Sequence, residues 1–411
     1  MSLRRWMLPL LVLIAPVLAW AQVGPVFSAT GPDAAAYGAA LGYPTMRGNA
    51  AVMPQAYLVG NFSHYDALYP NRLVAKPPQA SLLRQATAEL AFSYQYRGAN
   101  HTLADYLDRN PATGLLIARD DTILFERYQY GRTDHDRFIS WSMGKTVTAM
   151  LLGIAVSEGA IRSIDQVAAD YVPELDRSEY GRTPIRDLLH MASGVAFREV
   201  YDGSDDIARL VGMRYGAINP GAAKALAMFN TREAPPGTRF HYASSETQVL
   251  GLVVASAVHM PLAAYLQSRI WQPRGAEADA SWIVDSRGTE IASGEVSAVL
   301  RDWARFGLML AHDGAWNGRQ IVPRQWVLDA TSVAADYLAP SLTPPHFGYG
   351  YQLWLQPGPR RQFSLQGLYG QAIYIDPGSK LVLVHTAVQL PAAVNPATRE
   401  LAVLWQALVA Q

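Results

Sequence analysis

The chain has 411 residues, half of them hydrophobic, with 34 basic and 34 acidic residues. A zero formal charge gives no electrostatic case for nucleic acid or for an anionic membrane surface, and a charged fraction of only 17% argues against long disordered stretches. No cysteine occurs, which excludes disulfides, thiolate nucleophiles and cysteine-held metal. The nine histidines are scattered, with no HExxH, so no metal site is expected.

Arg4 and Arg5 precede an apolar stretch from Met7 to Leu18, and Ala19-Trp20-Ala21 forms an A-x-A cleavage site before Gln22. The stretch is shorter than the roughly 20 residues of a spanning helix, and Pro16 interrupts it. A signal peptide over 1–21, removed after Ala21, is therefore expected rather than an anchor, which places the mature protein in the periplasm or outside the cell. No later segment reads as a membrane span. Residues 22–100, rich in Gly, Ala, Pro and Tyr, show little periodicity and read as an irregular extension lying on a catalytic body of 101–411.

Within that body, Gly114 to Arg119 and Thr122 to Tyr128 read as an antiparallel hairpin turned at Asp120-Asp121. Thr146 to Ala155 is apolar nearly all round, the pattern of a buried central helix. Helical material follows over roughly 146–290. It includes a helix entered at Thr183-Pro184-Ile185, with Pro at a first helical position, and a long segment over 244–273. Another helix covers 298–307. Strands are predicted over 349–355, 371–375 and 381–386, with a turn at Asp376-Pro377-Gly378-Ser379 and a terminal helix from Pro396 to Val409. Strands from both ends of the chain suggest one antiparallel sheet flanked by helices, with an inserted all-helical lobe.

Three short patterns carry chemistry. Ser142 and Lys145 form Ser-x-x-Lys at the start of the central helix. Helix-start N–H groups and the dipole favour negative charge developing there, and three residues on is the same face. A lysine in an apolar helix loses basicity by desolvation and so can act as a base. The plainer reading has Ser142 as a cap and Lys145 snorkelling. Tyr242-Ala243-Ser244 places a phenol and a small hydroxyl where a relay could run; read alone, it is an ordinary strand-end tyrosine followed by a capping serine. Gly367-Leu368-Tyr369-Gly370-Gln371 lets backbone approach a substrate, and read alone it is a glycine-rich strand entry.

In this order the three patterns resemble the serine β-lactamase/penicillin-binding superfamily from about Tyr106 to the C-terminus, in its class C branch. The segments Phe138 to Lys145, Pro236 to Ser244, Ile270 to Pro273, Trp316 to Gly318, Tyr369 to Gln371 and Ile375 to Pro377 resemble most the 6-aminohexanoate-dimer (nylon oligomer) hydrolases and their esterase relatives. His190-Met191-Ala192-Ser193-Gly194 fits the superfamily's helix-to-loop signature in a structural role. The resemblance implies a β-lactamase/DD-peptidase-like α/β fold. It also implies a serine hydrolase of small esters or amides, with nucleophile Ser142, base Lys145 and proton relay Tyr242, and no cofactor. The backbone N–H groups of Ser142 and Leu368 would form the oxyanion hole, and Ser244 and Gly367 would lie against substrate. Tyr201 and Asp206, in a polar loop, are further substrate contacts or simply surface. The sequence departs from β-lactamases where they carry Lys-Thr-Gly: Leu365-Gln366-Gly367 stands there, so the cation that would hold a β-lactam carboxylate is missing unless an arginine such as Arg360 or Arg361 substitutes, and the nearest lysine, Lys380, lies beyond a turn. A β-lactamase or DD-peptidase, or a catalytically silent sensor, are the rival readings, and nothing speaks to oligomeric state.

Overall fold

The computed structural model describes residues 24–48, 53–216, 218–390 and 399–411. The expected signal peptide and the start of the expected terminal helix, at Pro396, lie outside them. Ala112–Arg119 and Thr122–Tyr128 form the antiparallel hairpin, with Asp120 in the left-handed region at φ 52°. Leu381–Ala387 pairs with the first of these strands. Ala372–Asp376, Phe363–Gln366, Trp354–Leu355 and Gly348–Tyr349 then continue antiparallel to one edge. The predicted strand 349–355 is thus two short strands, because residues 350–353 turn between them.

The other edge departs from an all-antiparallel sheet. Val26–Phe27 and Arg84–Gln85 pair parallel to Thr122–Tyr128, so the sheet is mixed. Both strands come from the segment expected to be irregular. They cover backbone donors and acceptors that would otherwise stand open along an edge. The same segment also forms the helices Leu58–Ser63 and Tyr65–Leu68 and the strand Asn71–Val74.

Ala112–Arg119 lacks polar alternation because both of its faces are covered. Leu116 and Ala118 belong to one core with the helices Gly144–Ser157 and Leu300–Ala311. Leu115 and Ile117 belong to another with the helix Glu400–Val409. Gly144–Ser157 is buried at every position from Gly144 to Ala155 and packs against Ser244–Val258. The segment predicted as one helix over 244–273 breaks where His259 turns left-handed at φ 53°, before Pro261. Leu262–Trp271 then leaves at 72°. Among the described residues, no single helix is long and apolar enough to cross a membrane. Pro184 precedes the helix Ile185–Leu189 rather than opening it; its ψ of 140° is extended.

A second, four-stranded sheet orders Asn71–Val74, Ala280–Ile283, Val296–Val299 and Arg137–Ile139. It ties the N-terminal segment to the end of the helical lobe and to the strand that leads directly into Ser142.

Candidate active site

Arg137–Ile139 ends at Ser140, which is held twice by the neighbouring strand. Its N–H donates to Val296 O at 2.7 Å, and its Oγ accepts from Val296 N–H at 3.0 Å. The chain then makes one tight turn, Trp141–Met143, before the helix begins at Gly144. Trp141 has φ 42°, a left-handed conformation costly for a bulky residue, and such strain gathers at functional sites. The turn is held from two sides by glycines that allow close approach. A Cβ on Gly294 would lie 2.7 Å from Trp141 O, and one on Gly367 would lie 2.5 Å from Ser140 O. Ser142 itself is half-buried and reaches the cleft.

One turn on, Lys145 is 2% exposed. Its Nζ lies 3.1 Å from Ser142 Oγ, 2.8 Å from Ser244 Oγ and 2.7 Å from Ser293 O. Three acceptors match an ammonium. When the amine is neutral, its two N–H bonds still serve Ser244 and Ser293, and its lone pair is left for the Ser142 hydroxyl. Burial pulls the Lys145 pKa down to about 8, against an opposing pull from Glu199. Glu199 holds the far side of the network: it accepts from Ser244 N–H at 2.6 Å, Ser244 Oγ at 2.7 Å and the Tyr201 hydroxyl at 2.5 Å.

Tyr242 is stacked on Trp354 at 5.7 Å, and its ring lies 5.1 Å from Lys145 Nζ. Its hydroxyl faces Ser142, an interaction that favours the phenolate. Burial and the charge of Glu199 outweigh it and push the phenol's pKa up, so Tyr242 stays protonated. Across the cleft, Gly367 N–H closes a turn onto Gln371 O at 2.8 Å. Among the described residues, the N–H groups of Ser142 and Leu368 donate to no protein acceptor, and both residues line the cleft.

Two cavities meet at Ser142. The inner one is walled by Tyr65, Tyr69, Trp141, Val211 and Tyr215, with Arg214, Ser244 and Glu295 also lining it. The outer one is lined by Tyr242, Trp354, Gly367, Leu368, Arg97 and Arg399. Tyr201, in a left-handed conformation at φ 61°, lines both. The structure thus brings Ser142, Lys145, Tyr242, Tyr201, Ser244, Gly367 and Leu368 together. Asp206 is the exception. Its carboxylate is turned to Arg198 N–H and Arg209, and it lines neither cavity; the adjacent Asp205 does. The reason is local: Asp206 opens the helix Asp206–Tyr215, where an acidic side chain finds backbone N–H and a cation one turn on.

Sequence reasoning missed Glu199, Ser293, Arg214, Glu295 and the two tyrosines from the N-terminal segment. Glu199 is two residues from Tyr201 in a loop already under notice; the others carry no local signal. Neither Arg360 nor Arg361 substitutes for the lysine that the closing strand lacks. Arg360 donates to Val409 O and Arg361 to Asp313 and Thr331, and neither lines either cavity. Lys380 is likewise held elsewhere, on Ala311 O. Leu365 is buried in the core.

The chain is 28% identical over 294 residues to a 6-aminohexanoate-dimer hydrolase of Paenarthrobacter ureafaciens, covering 69% of this chain and 74% of that one. A proposed 6-aminohexanoate-dimer hydrolase from Bacillus anthracis superposes with a TM-score of 0.78 at 24% identity, covering 88% of this chain and 95% of that one. A family VIII carboxylesterase shares the fold at a TM-score of 0.58 and 16% identity, over 75% and 95% of the two chains. The Beta-lactamase family model matches residues 83–404. The chain belongs to the β-lactamase family and is one of its serine hydrolases.

Proposed function

We propose that the protein hydrolyses an ester or amide of a small molecule through an acyl-enzyme on Ser142. The observation that carries this reading is the Lys145 ammonium nitrogen, buried and 3.1 Å from the Ser142 hydroxyl, with its pKa brought down to about 8. Neutral Lys145 accepts the Ser142 proton as Oγ bonds to the substrate carbonyl carbon. The carbonyl oxygen becomes an oxyanion facing the N–H groups of Ser142 and Leu368, donors already in place before charge develops. Tyr242, protonated and facing Ser142, passes a proton to the leaving alkoxide or amine as the tetrahedral intermediate collapses. Lys145 gives the Ser142 proton to the Tyr242 phenolate and is neutral again; water then attacks the acyl carbon, Lys145 accepts its proton and passes it to Ser142 Oγ, and the acid is released. No step calls on a metal or cofactor.

Because Tyr242 lines the outer cavity and not the inner one, the leaving group lies outward and the acyl group inward. The closing strand offers Leu365 and Gln366 where a β-lactam carboxylate would need a cation, which favours linear esters and amides over β-lactams. A silent sensor would have no reason to hold a desolvated lysine on an accessible serine. The test is labelling with a fluorophosphonate followed by mapping of the adduct. Ser142 is expected to carry it; labelling elsewhere, or labelling that survives Ser142→Ala, would refute the assignment. Export belongs to the same proposal, and N-terminal sequencing of protein from the medium or periplasm should begin at Gln22.

A further inference from the structure

The inner cavity contains a charge that acyl transfer does not use. Arg214, near the end of the helix Asp206–Tyr215, is 4% exposed and lines that cavity. Among the described residues, its side chain makes one hydrogen bond, from Nη2 to Gln248 Oε1 at 3.0 Å, and no ion pair. The same Gln248 oxygen already accepts from Ala292 N–H at 3.1 Å. A guanidinium has five N–H donors and keeps its charge in proteins, and a buried one without a counter-ion is strongly disfavoured. The remaining donors of Arg214 have the cavity to face.

Two carboxyl groups share the cavity, and among the described residues neither makes a hydrogen bond or close ion pair with Arg214, although the charge of Glu295 acts on it from a distance. Asp205 uses its oxygens on backbone N–H groups: Oδ2 accepts from Val200 and Tyr201, and Oδ1 from Ala208. Glu295 accepts from the Tyr215 hydroxyl at 3.1 Å and forms no ion pair among the described residues. Burial raises the pKa of its carboxyl, against opposing pulls from Arg214, the Tyr215 hydroxyl and Lys145. The other walls, Tyr65, Tyr69, Ile207, Ala208 and Val211, are aromatic or aliphatic. Such a pocket suits a methylene chain that begins at a carbonyl on Ser142 and ends in a group able to accept two N–H bonds from a guanidinium.

We propose that Arg214 sets substrate specificity and that the acyl groups accepted end in a carboxylate, so that the substrate is a half-ester or half-amide of a short dicarboxylic acid. This rests on the acyl-enzyme reading of Ser142, which makes the inner cavity the acyl pocket. A carboxylate is favoured over a neutral terminus because it supplies a charged, bidentate acceptor for the N–H donors that Arg214 leaves facing the cavity.

The test compares kcat/KM for mono-p-nitrophenyl adipate, p-nitrophenyl hexanoate and the ω-amino counterpart of the hexanoate. The enzymes are the wild type, Arg214→Met and Arg214→Lys. The adipate-to-hexanoate ratio should be about ten to a hundred in the wild type, the range expected of a charge-assisted bond. It should approach one in Arg214→Met and fall between in Arg214→Lys, which keeps the charge but loses the fork. Equal or better use of hexanoate, a ratio unchanged in either variant, or a preference for the ω-amino ester would overturn the proposal. Should Arg214→Met fail to fold, the Arg214→Lys ratio decides. Calorimetry of monomethyl adipate and methyl hexanoate on the Ser142→Ala protein tests Arg214 without any chemistry. Binding of the adipate alone supports the pocket; equal binding of both overturns it. Hydrolysis that survives Ser142→Ala would sink the acyl-enzyme reading instead.

Discussion

If Lys145 is the base, the pH profile of acylation is set by how much of it is neutral. With its pKa at about 8, roughly one lysine in ten is neutral at pH 7 and about nine in ten at pH 9. At the ordinary value of 10.5 the neutral share at pH 7 would be only about one in 3,000. Burial therefore raises the supply of base at neutrality by roughly two orders of magnitude. The sign follows from the role: a base works deprotonated, so kcat/KM should fall as pH drops. Below about pH 7 the slope should approach tenfold per unit, with a plateau above about 8 to 9. Tyr242 adds no second limb there, since burial holds its phenol protonated through this range. The assay is p-nitrophenyl butyrate hydrolysis followed at the isosbestic wavelength of nitrophenol, corrected for the uncatalysed rate. Glu199 supplies an internal check. Its charge holds the lysine pKa up, so Glu199→Gln, which keeps an acceptor for Ser244, should move the limb to lower pH. Lys145→Arg keeps the charge and supplies no base near neutrality. A flat wild-type profile, a limb near pH 4 to 5 of the carboxylate kind, or an Arg variant above about a tenth of wild-type kcat would remove Lys145 as the base.

Tyr242→Phe should keep the stacking on Trp354 and lower kcat by about 10²- to 10⁴-fold, the range for a lost proton-transfer group; a loss confined to KM would make Tyr242 a binding residue only. Gly367→Ala puts a Cβ 2.5 Å from Ser140 O, a backbone atom that cannot swing aside. The Leu368 N–H must move, so kcat should fall about 10²-fold with at most ~1–3 kcal/mol lost in denaturant unfolding, and unchanged kcat would exclude Leu368 from the oxyanion hole. With Arg360, Arg361 and Lys380 all held away from the cleft, p-nitrophenyl butyrate should be used about 10- to 100-fold better than nitrocefin, since a charge-assisted contact is worth about 1.5–3 kcal/mol. A nitrocefin kcat/KM of about 10⁴–10⁸ M⁻¹s⁻¹ with a far slower ester would make this a β-lactamase.

Much was legible in the sequence because it is local. The Thr146–Ala155 run has no polar face, so it must be a buried helix, and a serine and lysine three apart at its start must share a side. The hairpin over 114–128 and the closing strands follow from apolar runs broken by Asp-rich turns. Tyr242 and Leu368 were reachable only by resemblance, since no spacing rule links them to Ser142. What tertiary structure decided is the environment of these groups. Glu199, Ser293 and Ser244 reach Lys145 from three separate segments, and the desolvation that makes the lysine a base is a property of packing. The N-terminal segment lacks periodicity because its elements are short, yet Tyr65 and Tyr69 wall the inner cavity and Val26–Phe27 and Arg84–Gln85 close a sheet edge. Asp205 and Asp206 are alike in one dimension; one helical step turns the first into the cavity and the second away from it. Arg214 is one of many arginines in the sequence, and only the fold leaves it buried with one side-chain hydrogen bond among the described residues, in the cavity that Ser142 also lines. The sequence by itself set which chemistry could occur, because that needs only neighbours along a helix; which molecule fits depends on side chains that meet across the chain, and folding alone brings those together.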